Sequence, residues 1–398
     1  MKITGSFGWS FAIATGISIA LSTILTQTSV AATMSLDRMY VFGDSLSDVN
    51  NLLNLTGGSV PNQPFFEPGR FSNGNVWVEY LADKLKLADA SVTNFALGGA
   101  TTGSNNVGLP GIPAGLEQQI DTFTGSLAGQ AADKDALYIV WAGANDYLGR
   151  FTTNPTEPVS NLSDAINTLV ASGARNILVP NLPDLGKIPL GQSLGSDTAF
   201  ALDGLTRQHN QNLNTLLKNF SQTYPKRKFI SFDVNALFRQ LTTNAQVNDD
   251  DEDENPFRFA NVTSGCTNTN LYDPTIPLDP SKLTICDRPE SYLFWDSAHP
   301  TTTAHKIIAD SAFGVLKSKF DFGDDDDDDD DDDNDDLELS STASITTLPS
   351  SITDIPVTFV PPVISASPTR VPEPTSILGL IAFGTFGVGL GIRNFLQK

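Results

Sequence analysis

The stretch Tyr40-Val41-Phe42-Gly43-Asp44-Ser45-Leu46-Ser47-Asp48 decides how this chain is read. Met39 to Phe42 is an apolar, β-prone run and predicts a short buried strand. The run stops at Gly43, and a serine follows two residues later. A core strand ending in Gly-Asp-Ser puts that serine at the carboxyl edge of a sheet, where open α/β folds keep their binding crevice. Leu46–Leu55 predicts a helix whose first-turn N–H groups face the serine oxygen. Such a position suits a nucleophile. It equally suits a Ser or Asp that only caps a helix, so the choice rests on partners elsewhere.

Outward from this stretch the pattern repeats. Val92–Ala96 predicts a strand ending at Gly98-Gly99-Ala100-Thr101-Thr102. Ala136–Trp141 is a continuous apolar run, the mark of a buried parallel strand, and ends at Ala142-Gly143-Ala144-Asn145-Asp146. Asn176–Pro180 and Lys228–Phe232 predict two more strands. Helical spacing marks Val76–Leu87, Leu116–Leu127, Val159–Ser172 (closed by Gly173), Thr198–Tyr224 and Thr301–Phe320. Strands alternating with helices predict an α/β fold with a mostly parallel sheet covered on both faces. Residues 246–293 break the rhythm with an acid run, both cysteines and several prolines. They read as an excursion from the domain and, with the Gly/Pro/Asn-rich loop Gly57–Gly69, are expected to shape a substrate cleft.

The formal charge of −22 is concentrated. Asp249–Glu254 and the run Asp324–Asp333 with Asp335 and Asp336 hold eighteen acids, leaving about −4 for the rest. No basic stripe is present, which argues against nucleic-acid binding. The acid runs lack the Asp-x-Asp-x-Asp-Gly spacing of a calcium loop. Residues 323–370 instead read as an acidic and Ser/Thr/Pro-rich disordered linker.

Both ends look like addresses. Residues 1–32 predict a signal peptide: Lys2, an apolar Phe11–Leu25, then Ser29-Val30-Ala31-Ala32 before a cut; an uncleaved anchor is the alternative. Export permits a disulfide, and the only two cysteines, Cys266 and Cys286, lie in one loop-like region. Pairing them, or leaving two free thiols, are the readings open. Residues 371–398 contain Val371-Pro372-Glu373-Pro374-Thr375, an apolar Ile377–Ile392, then Arg393 and Lys398. This layout resembles the PEP-CTERM sorting tail of exported bacterial proteins and implies a membrane-associated sorting protease as partner. A plain C-terminal anchor is the alternative.

Three strand ends therefore carry a small polar group or glycine turn: Ser45, Gly99 and Asn145. If their strands are parallel neighbours, they meet on one rim. A serine nucleophile needs a base, and the chain has three histidines. His209, mid-helix among Asn and Gln, is expected at the surface, and His305 at the surface or partly packed. His299 lies in Trp295-Asp296-Ser297-Ala298-His299-Pro300. Asp296, three residues earlier, can accept Nδ1–H and turn Nε2 toward the serine.

Gly43-Asp44-Ser45-Leu46, Gly98-Gly99-Ala100, Gly143-Ala144-Asn145-Asp146 and Asp296-Ser297-Ala298-His299 occur in that order, and the chain thereby resembles the GDSL esterase/lipase family of SGNH hydrolases. The resemblance runs from about Leu36 to Phe320, helped by Gly69–Tyr80 and Asn181-Leu182-Pro183-Asp184. It implies a three-layer α/β/α sandwich over residues 33–322. It implies Ser45 as nucleophile, His299 as base and then acid, and Asp296 as its orienting carboxylate. The implied oxyanion donors are the Ser45 and Gly99 backbone N–H groups and the Asn145 amide, though the Gly98-Gly99 pair can be shifted by one. Asp44 and Asp146 are expected to shape turns. The resulting expectation is an exported, monomeric serine esterase/lipase acting on small-molecule or lipid esters through an acyl-enzyme, with no metal or cofactor. The alternatives are a polysaccharide O-acetyl esterase and a non-catalytic surface-displayed binding protein on a hydrolase scaffold. One departure stands out: the family's Ser-Asp-Thr-Gly-Asn reads Ser47-Asp48-Val49-Asn50-Asn51 here. Asn50 is expected to replace the Gly, because Asn tolerates the left-handed backbone.

Overall fold

The apolar runs become the strands of one parallel sheet: β1 (Met39–Gly43), β2 (Val92–Asn94), β3 (Leu137–Trp141), β4 (Asn176–Pro180) and β5 (Lys228–Phe232). Their order is β2-β1-β3-β4-β5. Met39 of β1 pairs with Val92 on one side, and Gly43 with Trp141 on the other. The chain first steps one way from β1 and then the other, so the switch point falls between β1 and β3. The computed structural model describes residues 36–61, 66–244, 259–268, 284–320 and 322, with Met1 and Gly5. These fall in one unit, Met1–Asp328; a second, Asp329–Lys398, lies outside the described residues. So do both acid runs, the 323–370 linker, the 371–398 tail and, Met1 and Gly5 apart, the 1–32 segment, except that Phe322 is described at the domain's end.

Alternate residues of each strand feed two cores. Met39, Val41, Leu137, Ile139, Leu178 and Ile230 pack against α2 (Trp77–Lys84), α8 (Val234–Asn244) and α9 (Thr302–Lys317). Phe42, Tyr138, Val140, Ile177 and Val179 pack against α3 (Leu116–Ser126), α5 (Thr156–Ser172) and α7 (Ser196–Thr223). This is the three-layer α/β/α sandwich, and period-2 side chains on a doubly covered sheet explain why the central strands β1 and β3 read as unbroken apolar runs. Gly173 ends α5 with φ of 123°, a left-handed stop that glycine adopts at little cost.

Some elements differ from expectation. The helix expected over Leu46–Leu55 is only α1 (Asn51–Leu55). Before it, Ser47 and Asp48 N–H close a turn on the Asp44 carbonyl, and Asn50 turns left-handed at φ 69°. Asp48 then accepts from Asn51 N–H at 2.7 Å and Leu52 N–H at 3.1 Å, so a fresh helix starts there. Short α4 (Ala144–Leu148) and α6 (Pro189–Ser193) were beyond the reach of periodicity. Helix α8 was not: Val234, Leu237, Phe238 and Leu241 form a helical stripe. Within the excursion, β6 (Asn261–Gly265) pairs in parallel with β7 (Tyr292–Phe294), and Cys266 is disulfide-bonded to Cys286.

Candidate active site

The site grows from the end of β1. Gly43 exchanges two hydrogen bonds with the Gln119 side chain of α3, both 2.8 Å. A Cβ on Gly43 would sit 2.4 Å from the Trp141 carbonyl oxygen, so only glycine lets β1 and β3 run this close. The tight turn that follows is closed by Ser47 N–H and Asp48 N–H on the Asp44 carbonyl, at 3.1 and 3.0 Å. Leu46 N–H adds a bond to Asp44 Oδ1 at 3.1 Å. Ser45 stands at the crest of this turn.

His299 reaches Ser45 from the far end of the chain. Its Nε2 lies 2.8 Å from Ser45 Oγ, and its Nδ1 lies 2.8 Å from Asp296 Oδ2. Asp296 Oδ1 accepts the Ala298 and His299 backbone N–H groups at 2.8 and 2.7 Å, folding the loop around its own carboxylate. Trp295 N–H donates to the His299 carbonyl at 2.7 Å, and Thr301 caps α9 just beyond Pro300. From behind, Cys266 and Thr267 N–H donate to the Phe294 and Trp295 carbonyls at 2.9 and 2.7 Å. The excursion thus backs the Asp296–His299 loop. No described residue of 57–69 or 246–293 lines the cleft at Ser45; Phe66 packs on Trp295 and Cys266 instead.

Gly99 and Asn145 join Ser45 on the same rim. Asp48 Oδ2 accepts Gly98 N–H at 2.7 Å, and Asn106 Nδ2 donates to the Gly98 carbonyl at 2.9 Å. Gly99 itself is left-handed at φ 79°, with Asn106 Oδ1 where a Cβ would go. Asn145 Nδ2 donates to the Ala100 carbonyl at 3.0 Å, tying the second and third rims together. Among the described residues, neither the Ser45 nor the Gly99 backbone N–H has a hydrogen-bond acceptor. Asp146 takes Thr102 N–H at 2.9 Å and its hydroxyl at 2.6 Å, a network linking the loops after β2 and β3. Phe71 packs against the His299 ring at 5.1 Å and beneath Gly98. Asp48, Phe71, Asn106 and Gln119 were not singled out from sequence. Asp48 and Phe71 at least lie inside quoted motifs, whereas nothing local marks Asn106 or Gln119.

Burial dominates the electrostatics. It pushes the Asp44 carboxyl up to about 7, against the Leu46 N–H and the attraction of His299, with Asp146 adding repulsion. Asp48 rises to about 6 by burial despite three backbone N–H donors, and Asp146 rises to about 6 by burial despite Thr102. The other two histidines are not at the surface. His209 and His305 are both fully buried, and burial lowers them to about 4 and about 3. His209 Nδ1 meets Tyr147 Oη at 3.0 Å, and His305 Nδ1 accepts Trp77 N–H at 3.2 Å. The polar neighbours of His209 in sequence point outward from a helix whose inner face it occupies.

A cleft of about 490 Å³ opens at Ser45, lined by Asn145 and His299 and by apolar Leu46, Trp141, Leu148 and Leu185, among others. The fold and its relatives define a carboxylic ester hydrolase. The chain belongs to the GDSL-like lipase/acylhydrolase family, whose profile matches residues 39–312. It is similar to phosphatidylcholine-sterol acyltransferase of Aeromonas hydrophila, 28% identical over 336 residues, covering 75% of this chain and 95% of that protein. It is also similar to the thermolabile hemolysin of Vibrio parahaemolyticus, 26% identical over 282 residues, covering 69% of this chain but only 62% of the hemolysin. A crystal structure of a lipolytic G-D-S-L family protein from Veillonella parvula matches with 14% identity and a TM-score of 0.37, covering 70% of this chain and 98% of that one.

Proposed function

We propose that this hydrolase works through a Ser45–His299–Asp296 triad and an acyl-enzyme. The observation that carries the reading is the buried hydrogen-bond chain from Ser45 Oγ to His299 Nε2 and from Nδ1 to Asp296, 2.8 Å at each step. Ser45 Oγ attacks the ester carbonyl while Nε2 takes its proton, and Asp296 holds the imidazole in place. The tetrahedral oxyanion accepts from the Ser45 and Gly99 N–H groups and the Asn145 amide. Collapse expels the alcohol, which takes the proton from His299. Water, deprotonated by the same histidine, then releases the acid and frees Ser45.

Two observations favour a lipid ester over an acetylated polysaccharide: the apolar cleft wall, and the phosphatidylcholine in the name of the Aeromonas relative. That name supports a second reading, acyl transfer to an alcohol in place of water. A complete set of reactive side chains speaks against a mere binding scaffold. Export is also proposed, supported by the Cys266–Cys286 disulfide and the sequence of the 1–32 segment; removal of the 371–398 tail by a sorting protease rests on its sequence alone.

The test is hydrolysis of p-nitrophenyl esters by the full chain, with and without an added alcohol. Ser45→Ala is expected to abolish turnover and fluorophosphonate labelling. Asn145→Ala is expected to lower kcat by roughly a hundred- to a thousandfold, and to lower the melting temperature only by the loss of its bond to the Ala100 carbonyl. Labelling that survives Ser45→Ala sinks the nucleophile assignment, and undiminished kcat in Asn145→Ala sinks that of the oxyanion donor.

A further inference from the structure

The cleft at Ser45 is not the last space in its direction. A second depression of about 300 Å³ adjoins it, and Pro183, Ile188, Phe238 and Phe294 line both. Beyond them the second space is bordered by Asp184, Lys187, Arg239 and Thr242. Arg239 Nε bonds Asp184 Oδ2 at 2.9 Å, joining α8 to the loop after β4 across that outer rim. Between the two spaces the Phe238 and Phe294 rings meet, centroids 6.2 Å apart at 49°. Both rings are buried, Phe238 at 7% exposure and Phe294 at 2%.

Resting on the function proposed above, we propose that Phe238, held against Phe294, closes the far end of the substrate cleft and sets the length of acyl chain accepted. Leu185, Ile188 and this ring pair wall the cleft that opens at Ser45, and the polar groups lining it belong to Asp44, Ser45, Asn145 and His299. Past the rings, the floor stays apolar on Pro183 and Ile188 until the charged rim is reached. Phe294 precedes the Trp295–His299 loop by one residue, so altering it disturbs the base. Phe238 sits on α8, away from that loop, and is the separable member of the pair. Removing its ring joins the two spaces. Each methylene newly accommodated in an apolar pocket is worth about tenfold or more in selectivity.

The experiment is a chain-length series of p-nitrophenyl esters, acetate to palmitate, on the full chain. In Phe238→Ala the ratio of kcat/KM for palmitate to that for butyrate is expected to rise at least tenfold. Thr242 lies one helical turn further along α8, so Thr242→Trp fills the second space. Combined with Phe238→Ala it is expected to cancel the gain, and alone to leave the chain-length profile as it was. Phe238→Leu, which costs less packing, keeps the question open to test should the alanine variant not fold. An unchanged ratio in a folded Phe238 variant overturns the proposal. So does a loss of long-chain activity in Thr242→Trp alone, which means the native chain already passes the ring. Calorimetry of decanoate and palmitate binding to Ser45→Ala, with and without Phe238→Ala, reads the same step without turnover. A protein that hydrolyses no ester yet binds palmitate more tightly once Phe238 is truncated refutes the triad and leaves the ring's role standing.

Discussion

Asp44, one residue before Ser45, is buried with its carboxyl pushed up to about 7. In the unfolded chain the same group ionises at the ordinary aspartate value of 3.8. Between those two values the folded state binds the extra proton, so this contribution to stability is full below 3.8 and is lost as pH rises through 7. Asp44→Asn keeps an oxygen for the Leu46 N–H and never ionises. Its melting temperature is expected to gain on the wild type as pH rises from about 4 to about 7, and an offset independent of pH overturns the account. The comparison matters because His209 and His305, lowered to about 4 and 3, act in the opposite sense. Their stability is present above an unfolded pKa of 6.5 and lost as pH falls, and it cancels between variant and parent. At this scale Asn50 shows how far a sequence can speak: its left-handed φ of 69° follows from the missing glycine. The burial of His209 and His305 was there to be read: His209 continues the stripe of Leu202, Thr206, Leu213 and Leu217, and His305 that of Ile308, Ala309 and Ala312, but the residues next to His209 in sequence are polar and mask it.

The strand ends matter more to the site than the strands. Gly43→Ala sets a Cβ 2.4 Å from the Trp141 carbonyl, backbone against backbone, where neither side can turn away. A loss of about 1–3 kcal/mol is expected, read as a lower denaturant midpoint at constant m. Gly204→Ala, in the middle of α7 with nothing within 4 Å, is expected to do the reverse, by about 0.5–1 kcal/mol. Equal effects at the two glycines would refute this reading of the switch point. Strands β1, β3 and β4 were legible because burial on both faces leaves mostly apolar side chains, while the edge strands β2 and β5 keep exposed Thr93 and Ser231. The five-residue helices α4 and α6 were not, since one turn and a half carries no period. The bonds of Asp48 to Gly98 and of Asn106 to Gly98 were illegible for another reason: the first joins the turns after β1 and β2, and the second closes an irregular loop after β2 that carries no period.

For the molecule as a whole, the segment that interrupts the α/β rhythm proves to be the brace of the histidine loop. Gly265 passes so close to Asp296 that a Cβ would meet its carbonyl oxygen at 2.6 Å, and the Cys266–Cys286 bridge follows immediately. Replacing both cysteines with serine is expected to lower stability by about 3 kcal/mol, from the chain freedom regained over a separation of 20 residues. It is also expected to lower kcat on short esters; a variant equal to the parent in both unfolding and kcat would overturn the bracing role. From sequence the segment looked like an insertion because long-range backbone bonds leave no local pattern. The distance along the chain between Ser45 and His299, 254 residues, has a consequence in time. A ribosome adding 5–20 residues per second makes the serine roughly 13–50 s before its base. On the triad proposed above, the nascent chain carries throughout that interval a serine hydroxyl without the histidine that would deprotonate it. On that proposal, a chain broken off anywhere short of residue 299 has the nucleophile and no turnover.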